Sequence, residues 1–275
     1  MCGEASRGAP ARATELAEQA LEGFRAIGDR RGLTWVLASL GMAARSRGDL
    51  DEAARRYQEA LATARATGPT WIVCLSLVEL GSLAAIAGED ARADALHREA
   101  AALARRTGMR RGVAHVCNEM GLAARLRGEV ERALPLHLEA LGIHRELLRT
   151  RVPRTLAQVG CTRARLGDLD AAAADLREAA ALVASTPQPA TVVLLLTGLA
   201  WVAAGRGDAE LAARLLGTAD ATRERIGVPA LGAELVETAL VRRAARSRLE
   251  APAFDAALAA GHDLPPDRAL RAALA

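Results

Sequence analysis

Lysine is absent from this chain: all 36 basic residues are arginine, and the classical phosphate-binding motif GxxxxGK[ST] is therefore excluded. Against 33 acidic residues the net charge is only +3, with the two signs interspersed along most segments. No single-sign field exists, so direct nucleic-acid binding is not expected. Aromatic residues make up 2% of the chain, although 51% is apolar, and much of that share is alanine. Close helix packing suits such a composition; a β fold would call for more aromatic and β-branched residues.

Four cysteines, Cys2, Cys74, Cys117 and Cys161, are scattered without CxxC spacing, which fits small apolar residues in a reducing compartment. The opening residues, Met1 to Arg7, lack the apolar core of a signal peptide. The most hydrophobic stretch, residues 190–205, is too short for a comfortable membrane span. The expectation is a cytoplasmic protein without membrane contact. No GxSxG or HExxH occurs, and the sequence offers neither a metal site nor a cofactor motif. Paired carboxylates such as Asp51/Glu52 and Glu129/Glu131 stand at helix starts, where capping explains them.

What is present is a period. Gly48, Gly88, Gly128, Gly167 and Gly207 follow one another at steps of 40, 40, 39 and 40 residues. An acidic residue follows each one, and an alanine stands five positions on, from Ala53 to Ala212. Seven positions earlier stands Gly41, Gly81, Gly121 or Gly160, replaced once by Ala200. Such spacing means stacked repeats, each a helical hairpin. Gly48 suits the left-handed turn between its two helices, while Asp49 caps the second helix and Glu52 completes a capping-box pattern.

The spacing predicts first helices over 33–47, 71–87, 111–127, 152–166 and 190–205, with second helices over 50–66, 90–107, 130–149, 169–185 and 208–226. Gly68-Pro69, Gly108, Pro153 and Pro187-Gln188-Pro189 supply the stops between them. Residues 1–11 read as a disordered N-terminus and 12–27 as a second helix lacking its first, whose uncovered stacking face would support a homo-oligomer. Residues 12–228 form the repeat array. Past Gly227 the register is lost, and 229–275 reads as a C-terminal helical cap with helices over 231–249, 254–260 and 266–274.

Leu37, Leu40, Gly41, Ala44, Ala53, Tyr57 and Ala60 resemble the signature spacing of the tetratricopeptide repeat, and the next two units repeat it through His97 and His137. The longer period and the tail, Ala212 to Gly227 with Phe254 and Gly261, are similar to the helical sensor regions of large bacterial transcriptional regulators of the maltose-activator and antibiotic-regulator kinds. The resemblance implies an all-α, right-handed superhelical solenoid of about five and a half hairpins. It also implies a non-catalytic module that binds a protein, a peptide or a small effector in a concave groove, in a regulatory or signalling setting. An enzyme or ligand carrier using that groove is the competing class.

Carried over position by position, the resemblance turns Trp35, Met42, Arg45, Leu75, His115, Asn118, Leu122, Arg125, Arg154 and Trp201 toward the groove, where Arg side chains would take carboxylates and Trp side chains apolar anchors. A merely solvated face is the plain alternative. His97 and His137 occupy a position that normally holds a core aromatic, so core packing rather than metal binding is expected of them. Arg105, Arg106, Arg110 and Arg111 surround one loop and Arg145, Arg149 and Arg151 the next, a basic ridge for phosphate or an acidic partner. Cations in last helical turns also complement the helix dipole, which is the simpler account of the same residues.

Overall fold

The computed structural model describes residues 2–185 and 188–274, so Thr186 and Pro187 lie outside it. Among the described residues there is no strand. The described residues form α1 (Cys2–Ile27), α2 (Arg30–Ser46), α3 (Leu50–Thr67), α4 (Thr70–Ile86), α5 (Asp90–Arg106), α6 (Arg110–Leu126), α7 (Val130–Leu147), α8 (Val152–Arg165), α9 (Leu169–Ser185), α10 (Pro189–Gly205), α11 (Ala209–Ile226), α12 (Ala233–Arg246), α13 (Ala251–His262) and α14 (Pro266–Leu274) in order. The fold is an all-α helical-repeat solenoid built of consecutive hairpins. Each predicted repeat helix is present, displaced by a few residues at most. The first helix is longer than expected, being helical from Cys2 where residues 1–11 read as disordered.

Local chemistry fixes the hairpin. Gly48 turns the chain at φ +82°, and the equivalent glycines of the other four units lie between +77° and +93°, a region that only glycine enters without strain. Asp49 then accepts a hydrogen bond from the Glu52 amide at 3.1 Å, and Asp168 and Asp208 cap their helices in the same way. Glu89 and Glu129 make no such cap. Their longer side chains pair instead with Arg92 and Arg132. Glu52 likewise turns to Arg55 and Arg56, so only the forward half of the expected capping box forms.

In three of the units the earlier glycine makes room for a specific side chain. A Cβ on Gly41 would lie 2.9 Å from the Tyr57 ring, one on Gly81 2.5 Å from His97, and one on Gly160 2.8 Å from Leu176. The position is therefore a seat for the residue sixteen places on. That residue is aromatic, imidazole or leucine from unit to unit, and all three are fully buried.

Two compact units result, Met1–Ala123 with Gly227–Pro229, and Ala124–Ile226 with Ala230–Ala275. In the first, α4 is buried along most of its length, with Leu77, Val78 and Leu80 in its core. In the second, α10 plays that part. Glu79 on α4 apart, neither helix carries a charge, and both are apolar nearly all round, the pattern of a covered helix. Among the described residues no helix is long and apolar enough to cross a membrane.

Also in the second unit, α13 packs on α11 through two glycines. Gly217 and Gly261 bring the backbones so close that Thr218 Oγ1 donates to the Gly261 carbonyl at 2.7 Å. Phe254 anchors the same helix in the core. Helix α14 lies against α9, α10 and α11, and α12 against α10 and α11.

Candidate functional site

The first unit carries a polar cluster made by α2, α4 and α6. Arg45 pairs with both Glu79 and Glu119, the latter at 3.4 Å. Glu79 Oε1 meets His115 Nε2 at 3.2 Å, Ser82 donates to Glu119 at 2.9 Å, and Asn118 Nδ2 donates to Glu119 at 3.2 Å. The carboxylates lie deep, with 6% and 9% of their side chains exposed, while Arg45 and His115 are partly open to solvent. Burial alone would neutralise such groups. Here it pushes Glu79 upward, but Arg45 and His115 outweigh it and hold the carboxyl below its ordinary value. Burial likewise pushes His115 down, and the hydrogen bond and charge of Glu79 bring it above its ordinary value. Two buried carboxylates thus lie under the Arg45 guanidinium and the His115 imidazole, which adds a second positive charge when protonated.

Tyr57 sits next to this cluster, fully buried, its phenol pushed up first by burial and then by Glu79. His97 is buried too and driven toward the neutral form by desolvation. Among the described residues no three His, Cys, Asp or Glu side chains converge as metal ligands would.

An aromatic pair stands on the surface of the same unit. The Trp35 ring on α2 lies 4.2 Å from that of Trp71 on α4, at 54° between planes, and the two residues are 54% and 37% exposed. About two turns along α2 from Trp35, Met42 is exposed as well. Leu75 is partly buried against the core below. Leu122 is half-buried and Asn118 buried.

In the second unit the expected residues fall differently. Arg125 is 1% exposed, and its guanidinium grips the Glu237 carboxylate with two nitrogens, one contact being Nε to Oε1 at 2.6 Å. It is therefore no open groove cation. Burial works against that charge and Glu237 restores it, leaving Arg125 held well on the protonated side. Arg165 donates to the Arg125 carbonyl at 2.8 Å and stands 3.8 Å from Glu237. Trp201 is half-buried against the core and Arg154 half-buried on α8, so neither is a free anchor. Cys161 is buried, and desolvation pushes its thiol up to about 12. That is the opposite of an activated nucleophile.

The basic residues stay at the surface in each unit. Arg105, Arg106, Arg110 and Arg111 are exposed in the first, and Arg145, Arg149 and Arg151 in the second, where Arg145 pairs with Glu178 at 2.9 Å.

Sequence reasoning missed Glu79, Glu119, Glu237 and Trp71. Two of these had a signal: Glu79 is the one charged residue of α4, and Glu119 repeats its place, each two positions before a repeat glycine. Glu237 lies outside the period and had none.

Residues 4–66 and 113–149 each match a family described as tetratricopeptide repeat. No curated protein matches the sequence. Among solved structures, BtubC (BKLC) from P. vanneervenii is similar at 20% identity and a TM-score of 0.58, over 82% of this chain and 92% of that one. At that identity the likeness speaks for the fold alone. The two matched segments, the turn glycines and the consecutive hairpins agree on a helical-repeat fold with tetratricopeptide-repeat segments, a kind of module that generally serves protein interactions.

Proposed function

We propose that this chain is the non-catalytic binding module of a regulatory protein, and that its first unit takes an apolar side chain of a protein or peptide partner at Trp35 and Trp71. The observation that carries this reading is the exposed pair itself. A chain with so few aromatics places two of its three tryptophans side by side in solvent. Large aromatic planes left wet and adjacent are the usual anchors of an interface. Met42 extends the apolar strip along α2, and a flexible thioether adapts to varied partners.

Acidic anchoring at Arg45 and Arg125 is not part of the reading, because both guanidiniums already hold carboxylates of this chain. The cluster below is better understood as a floor that fixes α2, α4 and α6 in register. An enzymatic use of the site finds less support: His115 is tied to Glu79, and the buried thiols Cys74 and Cys161 are pushed away from reactivity. The regulatory setting rests on the resemblance of the repeat and of the tail from Ala212 to Gly261.

Peptide display against the full chain, with counter-selection on a Trp35→Ser/Trp71→Ser variant, tests the proposal. Enriched peptides should carry a large apolar residue and lose at least ten-fold in affinity for the double variant, about 1.4 kcal/mol. Peptides that hold both proteins equally, or no enrichment, would overturn it.

A further inference from the structure

The first helices on either side of α4 begin with the same three residues. Arg30-Arg31-Gly32 opens α2 and Arg110-Arg111-Gly112 opens α6, while Thr70-Trp71-Ile72 holds the corresponding repeat positions at the start of α4. The third place faces inward. An added Cβ on Gly32 would lie 2.4 Å from the Phe24 ring and one on Gly112 3.4 Å from the Cys74 Sγ, and Ile72 is fully buried. The second place is exposed in all three helices.

A cation in a first helical turn opposes the helix dipole, so these arginines gain nothing from their position in the helix. The second helices of the repeat keep the favourable sign, with acidic residues in the first turns of α3, α5, α7, α9 and α11. Nor are the arginine charges neutralised. Among the described residues no carboxylate lies within ion-pair distance of Arg30, Arg31 or Arg111. Asp29, next to Arg30 in the chain, uses its Oδ1 to accept from the amides of Arg31 and Gly32.

Repeat register fixes their place relative to the tryptophans. Arg31 lies one turn before Trp35 on the same face of α2. Neighbouring first helices meet through residues 36 or 37 apart, Glu79 with His115 and Ser82 with Glu119, and Trp35 meets Trp71 at the same offset. That offset sets Arg111 level with Leu75, one turn along α4 from Trp71. The exposed aromatic pair thus stands between two unpaired cations, Arg31 before it and Arg111 beyond it.

We propose that the Trp35/Trp71 surface binds an acidic segment of a partner protein: a bulky apolar residue docks on the tryptophans, and Asp or Glu side chains on either side of it pair with Arg31 and Arg111. This rests on the reading of the tryptophan pair as an anchor and adds what flanks that anchor. A guanidinium takes a carboxylate with two parallel hydrogen bonds, so the arginines select which apolar segments dock while the tryptophans supply the buried area. Arg30 strengthens the field that draws an acidic partner in, an effect that weakens with salt.

Peptides selected from a randomised display library on the full chain supply the probes. Those that lose binding to Trp35→Ser/Trp71→Ser should carry acidic residues on both sides of a large apolar one, and exchanging the acids for their amides should weaken them at least ten-fold. The acidic peptides should bind Arg31→Gln/Arg111→Gln at least ten-fold more weakly than the wild type and with a flatter dependence on salt, while the amide versions bind both proteins alike. The Tm of that variant should equal or exceed the wild-type value, because the charges removed oppose the dipole. Peptides that need the tryptophans but carry no acid, or that hold the arginine variant as tightly as the wild type, would overturn this inference and leave the tryptophan reading standing. Peptides indifferent to the tryptophans would overturn both. A lower Tm in the arginine variant would assign the arginines to the fold and overturn the inference as well.

Discussion

Replacing Arg45 with methionine removes the cation that two buried carboxylates share while keeping most of the side-chain volume. Glu79 and Glu119 would be left with His115, Ser82 and Asn118 as partners, under surroundings that exclude water. Stripping one member from a buried pair costs about 3–5 kcal/mol. Because 28% of the Arg45 side chain is exposed, solvent already screens part of the interaction, and about 2–4 kcal/mol is the expected loss near neutrality. For a chain of this size that corresponds to a Tm lower by roughly 4–16 °C.

The pH dependence separates this cause from ordinary packing damage. In the wild type Glu79 is held below its ordinary value of 4.5, so its contribution is present above that pH and fades as acid protonates the folded carboxyl. In Arg45→Met the largest force lowering it is gone, the carboxyl binds its proton at higher pH, and the protonated form needs no cation. The stability difference between the proteins should therefore shrink by at least half from about pH 7 to about pH 4. Urea denaturation followed by far-ultraviolet circular dichroism at both values is the assay. A loss below about 1 kcal/mol at neutrality, or one that does not change with pH, would refute the electrostatic account.

Glycine-to-alanine changes should have opposite signs at two sites. Gly142 on α7 has nothing within 4 Å of an added Cβ, so Gly142→Ala should stabilise by about 0.5–1 kcal/mol; at Gly217 the methyl would fall 2.0 Å from the Leu258 carbonyl oxygen, and Gly217→Ala should cost about 1–3 kcal/mol, both read by urea denaturation. His115 is held above its ordinary value of 6.5, so its contribution is complete below that pH and lost as pH rises through the folded value. In His115→Gln that decline should vanish from Tm measured between about pH 6 and pH 9, and an unchanged slope would exclude His115 as its source. Burial pushes Cys74 up to about 11 and Cys161 up to about 12, so neither should react with a thiol-specific chromogenic reagent until the protein unfolds; fast labelling of either in the native state would contradict the packing.

The repeat was written in the sequence because it depends on short-range rules. A glycine every forty residues, an acidic residue after it and alanines at fixed offsets dictate turn, cap and close helix contact from residues a few places apart, and the hairpins from α2 to α11 follow. The same locality places Trp35 and Met42, seven residues apart, on one face of α2, but it could not give the fate of Arg125. Its partner Glu237 is 112 residues away, in a helix that obeys no period, and only the folded chain brings the two together. The polar cluster was half legible: Arg45 and His115 were singled out, but the carboxylates they neutralise sit on α4 and α6 at positions that a generic repeat would give to the core. Sequence period determines which residues share a face of a helix; whether that face meets water, a neighbouring helix or the chain's own α12 is settled by packing of elements distant in sequence, and that tertiary structure alone decided.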